Sequence, residues 1–270
     1  MSKRNELLIQ SDKPLFIPYI VAGDPSEIAT IDIALSLQKA GASALELGVP
    51  YSDPLADGPT IQRAASRSLK RGMSIISAMC LARKMKKAGL TIPIILFTYY
   101  NPVLQLGNQN FFALMKENAI EGLLIPDLPF EESEALRANC QENSITFISL
   151  LAPTSMNRLE KIVSQAQGFL YCVSSLGVTG ERKEFDQSVL SFVEKVKEKS
   201  DIPVVVGFGI STREQVQLFQ NVCDGVIVGS AIINKIEQLV KDHEWSAESK
   251  QIFDQYLLQL LGNSNLQHKV

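Results

Sequence analysis

The sequence has 270 residues, of which 46% are apolar and 20% charged, with a formal net charge of -3. These proportions are those of an ordinary globular protein, and the charge gives no reason to expect nucleic acid or an anionic membrane as partner. The length admits one large domain or two small ones.

The N-terminal stretch MSKRNELLIQSDKP has no apolar core of signal-peptide length. The longest apolar runs, IPIILFTYY and IPVVVGFGI, fall far short of a membrane span. A soluble, cytoplasmic chain is expected. Cys80, Cys140, Cys172 and Cys223 are well separated and show no zinc or redox spacing. They read as reduced structural thiols, which suits that compartment.

Short apolar runs alternate with segments of helical period. In chain order the strand candidates start at Leu15 (LFIPYIVAG), Ala44 (ALELGVP), Ile92 (IPIILFTYY), Gly122 (GLLIPDLP), Ile145 (ITFISLL), Gly168 (GFLYCVS), Ile202 (IPVVVGFG) and Asp224 (DGVIVGSA). Most are nearly continuous hydrophobics, the pattern of parallel strands covered by helices. The first helix is expected over 25–41, opened by Pro25 and Ser26 and closed by Gly41. A second runs over 74–89 and ends in basic residues and Gly89. Later helices are expected over 131–143, from a capping Ser155, and from Ser211. A last amphipathic helix closes the chain. Eight β-then-α units without a linker predict a single (β/α)8 TIM barrel domain over 1–270 with extra short helices. Two gaps are long: one between strand 2 and the helix at 74–89, the other a polar insert after strand 6. In barrels, the loops at the carboxyl ends of strands are where active sites are built.

Glu46 stands in the middle of an apolar run. Strand alternation puts Leu45, Leu47 and Val49 on one face and Ala44, Glu46 and Gly48 on the other, so Glu46 points into the barrel. An unpaired charge there would cost several kcal/mol. The side chain is therefore either a satisfied internal ion pair or a carboxyl with raised pKa that moves protons. The two histidines, His243 and His268, lie beyond the last strand, so carboxylates or tyrosines must supply any acid–base chemistry and a His-bearing metal site is not expected. No lysine falls in a strand, and only Lys183 is placed near the upper loops, which disfavours a Schiff-base lysine. Asp53 reads as turn chemistry, Asp57 as turn or function, and Asp127 as a supporting group.

Glycines in three successive βα loops, Gly180, Gly209 and Gly229 with Ser230, suggest a phosphate pocket closed by a short helix start in GSAIINKIEQL. GFGIST lacks the third glycine of a dinucleotide fingerprint. Tyr19, Phe97, Tyr99, Tyr171 and Phe208 near strand ends could line a pocket for a flat apolar group, and Cys172 would then face the helices.

The stretches LELGVPYSDPLADGPTIQ, LGVTG, VGFGIS and VGSAI closely resemble the tryptophan synthase alpha chain family, in order and with matching spacing over nearly the whole chain. The resemblance implies a lyase cleaving indole-3-glycerol phosphate to indole and glyceraldehyde 3-phosphate without metal or organic cofactor. It implies Glu46 and Asp57 as the catalytic carboxylates. It places Tyr19, Ile61, Phe97, Tyr171 and Phe208 around the indole. Gly180, Gly209, Gly229 and Ser230 fall around the phosphate, and Thr179 on a loop that meets Asp57 on closure. It also implies a beta-chain partner in an alpha2-beta2 heterotetramer, facing the 51–60 loop, Asn101 and Pro102, and a lid over 175–187. One departure is Ser174-Ser175-Leu176, where the family pattern has an Arg after the first Ser. Two other readings fit the residues alone: another phosphosugar-binding barrel enzyme, such as an isomerase, and a non-catalytic phosphate-sensing subunit.

Overall fold

The computed structural model describes residues 14–173, 187–207, 209–240 and 244–262. Its strands are β1 (Leu15–Val21), β2 (Leu45–Gly48), β3 (Ile94–Phe97), β4 (Gly122–Leu124), β5 (Thr146–Phe147), β6 (Ser149–Leu151), β7 (Leu170–Val173), β8 (Val204–Gly207) and β9 (Gly225–Val228). They form one sheet in the order β5-β4-β3-β2-β1-β9-β8-β7-β6, and every pairing is parallel.

Eight strand candidates become nine segments because ITFISLL divides at Ile148. Below that residue it bonds to β4, with Thr146 opposite Gly122 and Phe147 opposite Leu123. Above it the chain bonds to β7, with Ser149 opposite Leu170 and Leu151 opposite Cys172. One strand thus serves both neighbours at different heights, as the stagger of a tilted, closed barrel requires. The expected (β/α)8 barrel is what forms.

The helices are α1 (Glu27–Lys39), α2 (Pro59–Lys70), α3 (Ile75–Lys87), α4 (Tyr100–Leu106), α5 (Asn108–Glu117), α6 (Glu134–Glu142), α7 (Leu159–Gln165), α8 (Gln187–Lys199), α9 (Arg213–Gln220), α10 (Ser230–Leu239) and α11 (Ala247–Leu261). Ser26 caps α1 by accepting from the Ala29 N–H at 3.2 Å. Ser74 caps α3 through a reciprocal pair with Ser77. Two expected starts shift. Ser155 is not a first cap: Pro153 opens a 3-10 turn (Pro153–Arg158) ahead of α7, and Ser155 reaches back to the Ala152 N–H at 3.3 Å. Thr212, not Ser211, caps α9, in a box with Gln215. The long gap after β2 is not all loop, because α2 fills its second half, starting with Pro59 at its first position.

The core lies inside the cylinder and between it and the helices. Leu45 and Leu47 are fully buried on the outer face of β2, as expected. Cys140, Cys172 and Cys223 are buried thiols, Cys80 is half-buried, and none is in a disulfide. No helix among the described residues is long and apolar enough to cross a membrane.

Candidate active site

β2 places Glu46 opposite Tyr19 on β1 and Ile95 on β3. Its side chain is 1% exposed. No cation pairs with it among the described ion pairs, and Oε1 has no hydrogen-bond partner there. Burial alone lifts its carboxyl to a pKa of about 8. Among the described residues the internal ion pair that was the alternative for Glu46 is not found.

Asp57 arrives from a different element. The 51–58 loop carries it back over the barrel rim, and it ends one residue ahead of Gly58, the N-cap of α2. The Gln62 side-chain amide holds its carbonyl at 2.7 Å. Its carboxyl is buried, with Oδ1 free of any partner among the described residues. Burial raises its pKa to about 6, against the pull of a hydrogen bond from the Tyr99 hydroxyl. The same hydroxyl accepts from the Ala56 N–H at 3.0 Å. Asp127 accepts from the Tyr100 N–H at 2.9 Å and so anchors the backbone next to Tyr99. Asp53 is exposed and accepts from Ser52, which is turn chemistry.

Glu46 and Asp57 open into one cavity with Tyr19, Ile61, Phe97 and Tyr171 as apolar wall. Tyr19 and Phe97 meet edge to face at 5.3 Å. Gly209, Gly229 and Ser230 also line the cavity. The first helical bond of α10 runs from Ile233 N–H to Gly229 C=O at 3.0 Å, so the N–H groups ahead of it have no partner within the helix. Neither Lys nor Arg is among the described residues that line the cavity. The space open to the centre of a water-sized group is about 30 Å³.

Two glycines set the depth. A Cβ on Gly48 would collide with the Tyr19 hydroxyl, and one on Gly207 with the Tyr171 hydroxyl. Each tyrosine thus lies across a notch on the neighbouring strand.

The structure brings Glu46, Asp57, Tyr19, Ile61, Phe97, Tyr171, Gly209, Gly229 and Ser230 to this one cavity, whereas Tyr99, expected as wall, and Asp127 do not line it; Thr179, Gly180 and Phe208 lie outside the described segments. One contributor was not singled out from the sequence, and another was given a different part. Ile227 lines the cavity from β9, and Tyr99, read only as wall, is the partner of Asp57. Period-two alternation carried a signal for both: Ile227 is two residues before Gly229, and Tyr99 two after Phe97.

A closed parallel barrel with two buried carboxyls of unequal proton affinity at its carboxyl rim defines a (β/α)8 enzyme of the acid–base type. A family model described as tryptophan synthase alpha chain matches residues 6–260. The tryptophan synthase alpha chain of Bacillus pumilus (strain SAFR-032) is 64% identical over 231 residues, 86% of each chain. That of Bacillus subtilis (strain 168) is 58% identical over 261 residues, 95% of this chain and 97% of the relative. Among solved structures, a chain from a study of mutual activation in the tryptophan synthase a2b2 complex of Pyrococcus furiosus superposes with a TM-score of 0.82. It has 34% identity, covering 97% of this chain and all of the other. The chain belongs to the tryptophan synthase alpha chain family.

Proposed function

We infer that this chain cleaves indole-3-glycerol phosphate to indole and glyceraldehyde 3-phosphate, as the alpha subunit of tryptophan synthase, working as one barrel domain. The observation that carries the reading is a single cavity holding Glu46, protonated at neutral pH, and Asp57, mostly ionised there.

Glu46 delivers its proton to ring carbon C3. The positive charge that forms spreads to the ring nitrogen, whose N–H is held by the Asp57 carboxylate. Glu46, now ionised, takes the proton of the hydroxyl beside the scissile bond. That C–C bond breaks, its electron pair restores the aromatic ring, and the aldehyde leaves with its phosphate. One proton is given and one taken, so the enzyme returns to its starting state. Tyr19, Ile61, Phe97 and Tyr171 hold the ring. Gly209, Gly229 and Ser230 receive the phosphate on backbone N–H groups, with Gly180 and Phe208 completing the two ends and Thr179 meeting Asp57.

A beta chain is the expected partner, in an alpha2-beta2 assembly. Leu55, 76% exposed, sits on the loop after β2 and Leu104, 54% exposed, on α4, which follows β3; together they offer a partner apolar surface to cover. Asn101 donates to the Tyr51 hydroxyl at 3.2 Å, and Tyr51 stacks on Tyr99, so this surface adjoins the Asp57 side of the site. Family membership does not favour the isomerase or the non-catalytic sensor. The deciding experiment is indole release from indole-3-glycerol phosphate, with and without a beta chain. Release by the chain is expected, and substrate left intact or isomerised overturns the reading.

A further inference from the structure

Away from the reacting groups, four charged side chains gather where α2, α10 and the turn after β1 meet. Arg67 forks onto Asp24, Nε to Oδ1 at 2.8 Å and Nη2 to Oδ2 at 2.9 Å. Its third nitrogen, Nη1, reaches Glu237 Oε1 on α10 at 2.5 Å. Arg63, one turn earlier on α2, closes on Glu237 with Nη2 at 2.7 Å and Nε at 3.1 Å. Next to the fork, Ser68 Oγ donates to Ala22 C=O at 2.5 Å, which binds the same turn to α2 again.

This is not an ordinary surface ion pair. The Asp24 side chain is 1% exposed and that of Arg67 only 27%. Such a pair adds little net stability over an apolar replacement, but it fixes geometry, because breaking one partner strands a buried charge. A planar fork serving two carboxylates also cannot be replaced by a lysine.

The place of the network gives it a use. α2 and α10 both begin at the cavity, α2 just after Asp57 and α10 at Ser230. Arg67 and Glu237 join them again on the order of 10 Å away, about two helical turns along. The turn held by Asp24 follows β1, which carries Tyr19.

We propose that Arg67 is a positioning residue: by holding Asp24 and Glu237 together it sets the spacing between Asp57 and the N–H groups at the start of α10. A substrate anchored at its phosphate then presents its ring to the carboxylate at a fixed distance. The proposal rests on the roles given above to Asp57 and to the start of α10.

The test compares Arg67→Met, Arg67→Lys, Asp24→Leu/Arg67→Met and Asp57→Asn. Arg83→Met, which breaks an exposed pair between α3 and α5, is the control. kcat and KM for indole release are measured, together with binding of glycerol 3-phosphate as probe. Arg67→Met is expected to lower kcat roughly ten- to a hundredfold, the cost of a small misplacement, with Arg67→Lys in between and Arg83→Met unchanged. The double variant removes the stranded charge. It is expected to regain thermal stability but not kcat, and it decides the matter if Arg67→Met does not fold. Parental kcat in folded Arg67→Met, or its recovery in the double variant, overturns the proposal. Either result alongside an inactive Asp57→Asn leaves the site reading intact, whereas an active Asp57→Asn overturns that reading itself.

Discussion

Glu46 and Asp57 bring the same functional group into one cavity from two unlike regions of the molecule. Glu46 stands on β2, on a rigid strand among apolar and small neighbours, and nothing offsets its burial. Asp57 comes from the loop ahead of α2, where the Tyr99 hydroxyl compensates part of the same cost. The strand yields a carboxyl that stays protonated to about pH 8, and the loop yields one that ionises near pH 6. Position in the fold, with no change in chemistry, divides proton donor from charge stabiliser.

The sharpest way to break this comparison is to remove each acid in turn. Glu46→Gln is expected to lower kcat by about 10² to 10⁴, the worth of a general acid. Asp57→Asn is expected to cost about 10² to 10³, the worth of an electrostatic stabiliser. Steady-state rates of indole release check both, and near-parental rates in either variant would falsify its assigned role. In the parent, kcat/KM should follow a bell between the two titrations, with limbs near pH 6 and pH 8.

Gly48→Ala attacks the wall that both acids share. Its Cβ pushes the Tyr19 ring into the cavity. Overpacking of this kind costs about 1 to 3 kcal/mol, expected here as roughly a tenfold loss in kcat/KM, with KM carrying most of it. A crystal structure of the variant with Tyr19 unmoved would contradict this account.

Tyr99→Phe sharpens the comparison by erasing half of the difference. Without the hydroxyl, Asp57 keeps the burial that raises its pKa and loses the bond that lowers it. The acidic limb of the rate profile should move to higher pH, while the basic limb, set by Glu46, stays where it is. A pH profile of the variant reads both limbs at once.

The smallest effect is on stability. Because the folded state holds the Glu46 proton more tightly than the unfolded chain does, its contribution is fully present below the ordinary glutamate range. It is lost as pH rises through about 8. Glu46→Gln should therefore gain on the parent in Tm between pH 5 and pH 9, by roughly 2 to 4 °C for each kcal/mol relieved. Calorimetry at the two pH values checks the sign.

Much of this was legible in the sequence, and for a physical reason. Parallel strands buried on both faces write themselves as apolar runs, so the barrel could be read from alternation alone. Helix starts were less legible where a proline competes with a serine cap, as Pro153 does with Ser155. Glu46 was visible because a charge in an apolar run has no structural excuse. Asp57 could not be separated from Asp53 by local chemistry, since both lie in turn-forming sequence and only burial tells them apart. Tyr99 was hidden because its hydroxyl acts sideways, on a loop more than forty residues earlier. Period-two spacing marks where it points, but not what it meets.

The divided strand at Ile148 has one more consequence. Among the described residues, β5 below it pairs with β4 and β6 above it with β7. A hollow of about 740 Å³ lies beside this strand, with Phe147 and Gln167 in its lining. Its lining shares no residue with the cavity that holds Glu46 and Asp57, so sheer capacity is a poor guide to where work is done.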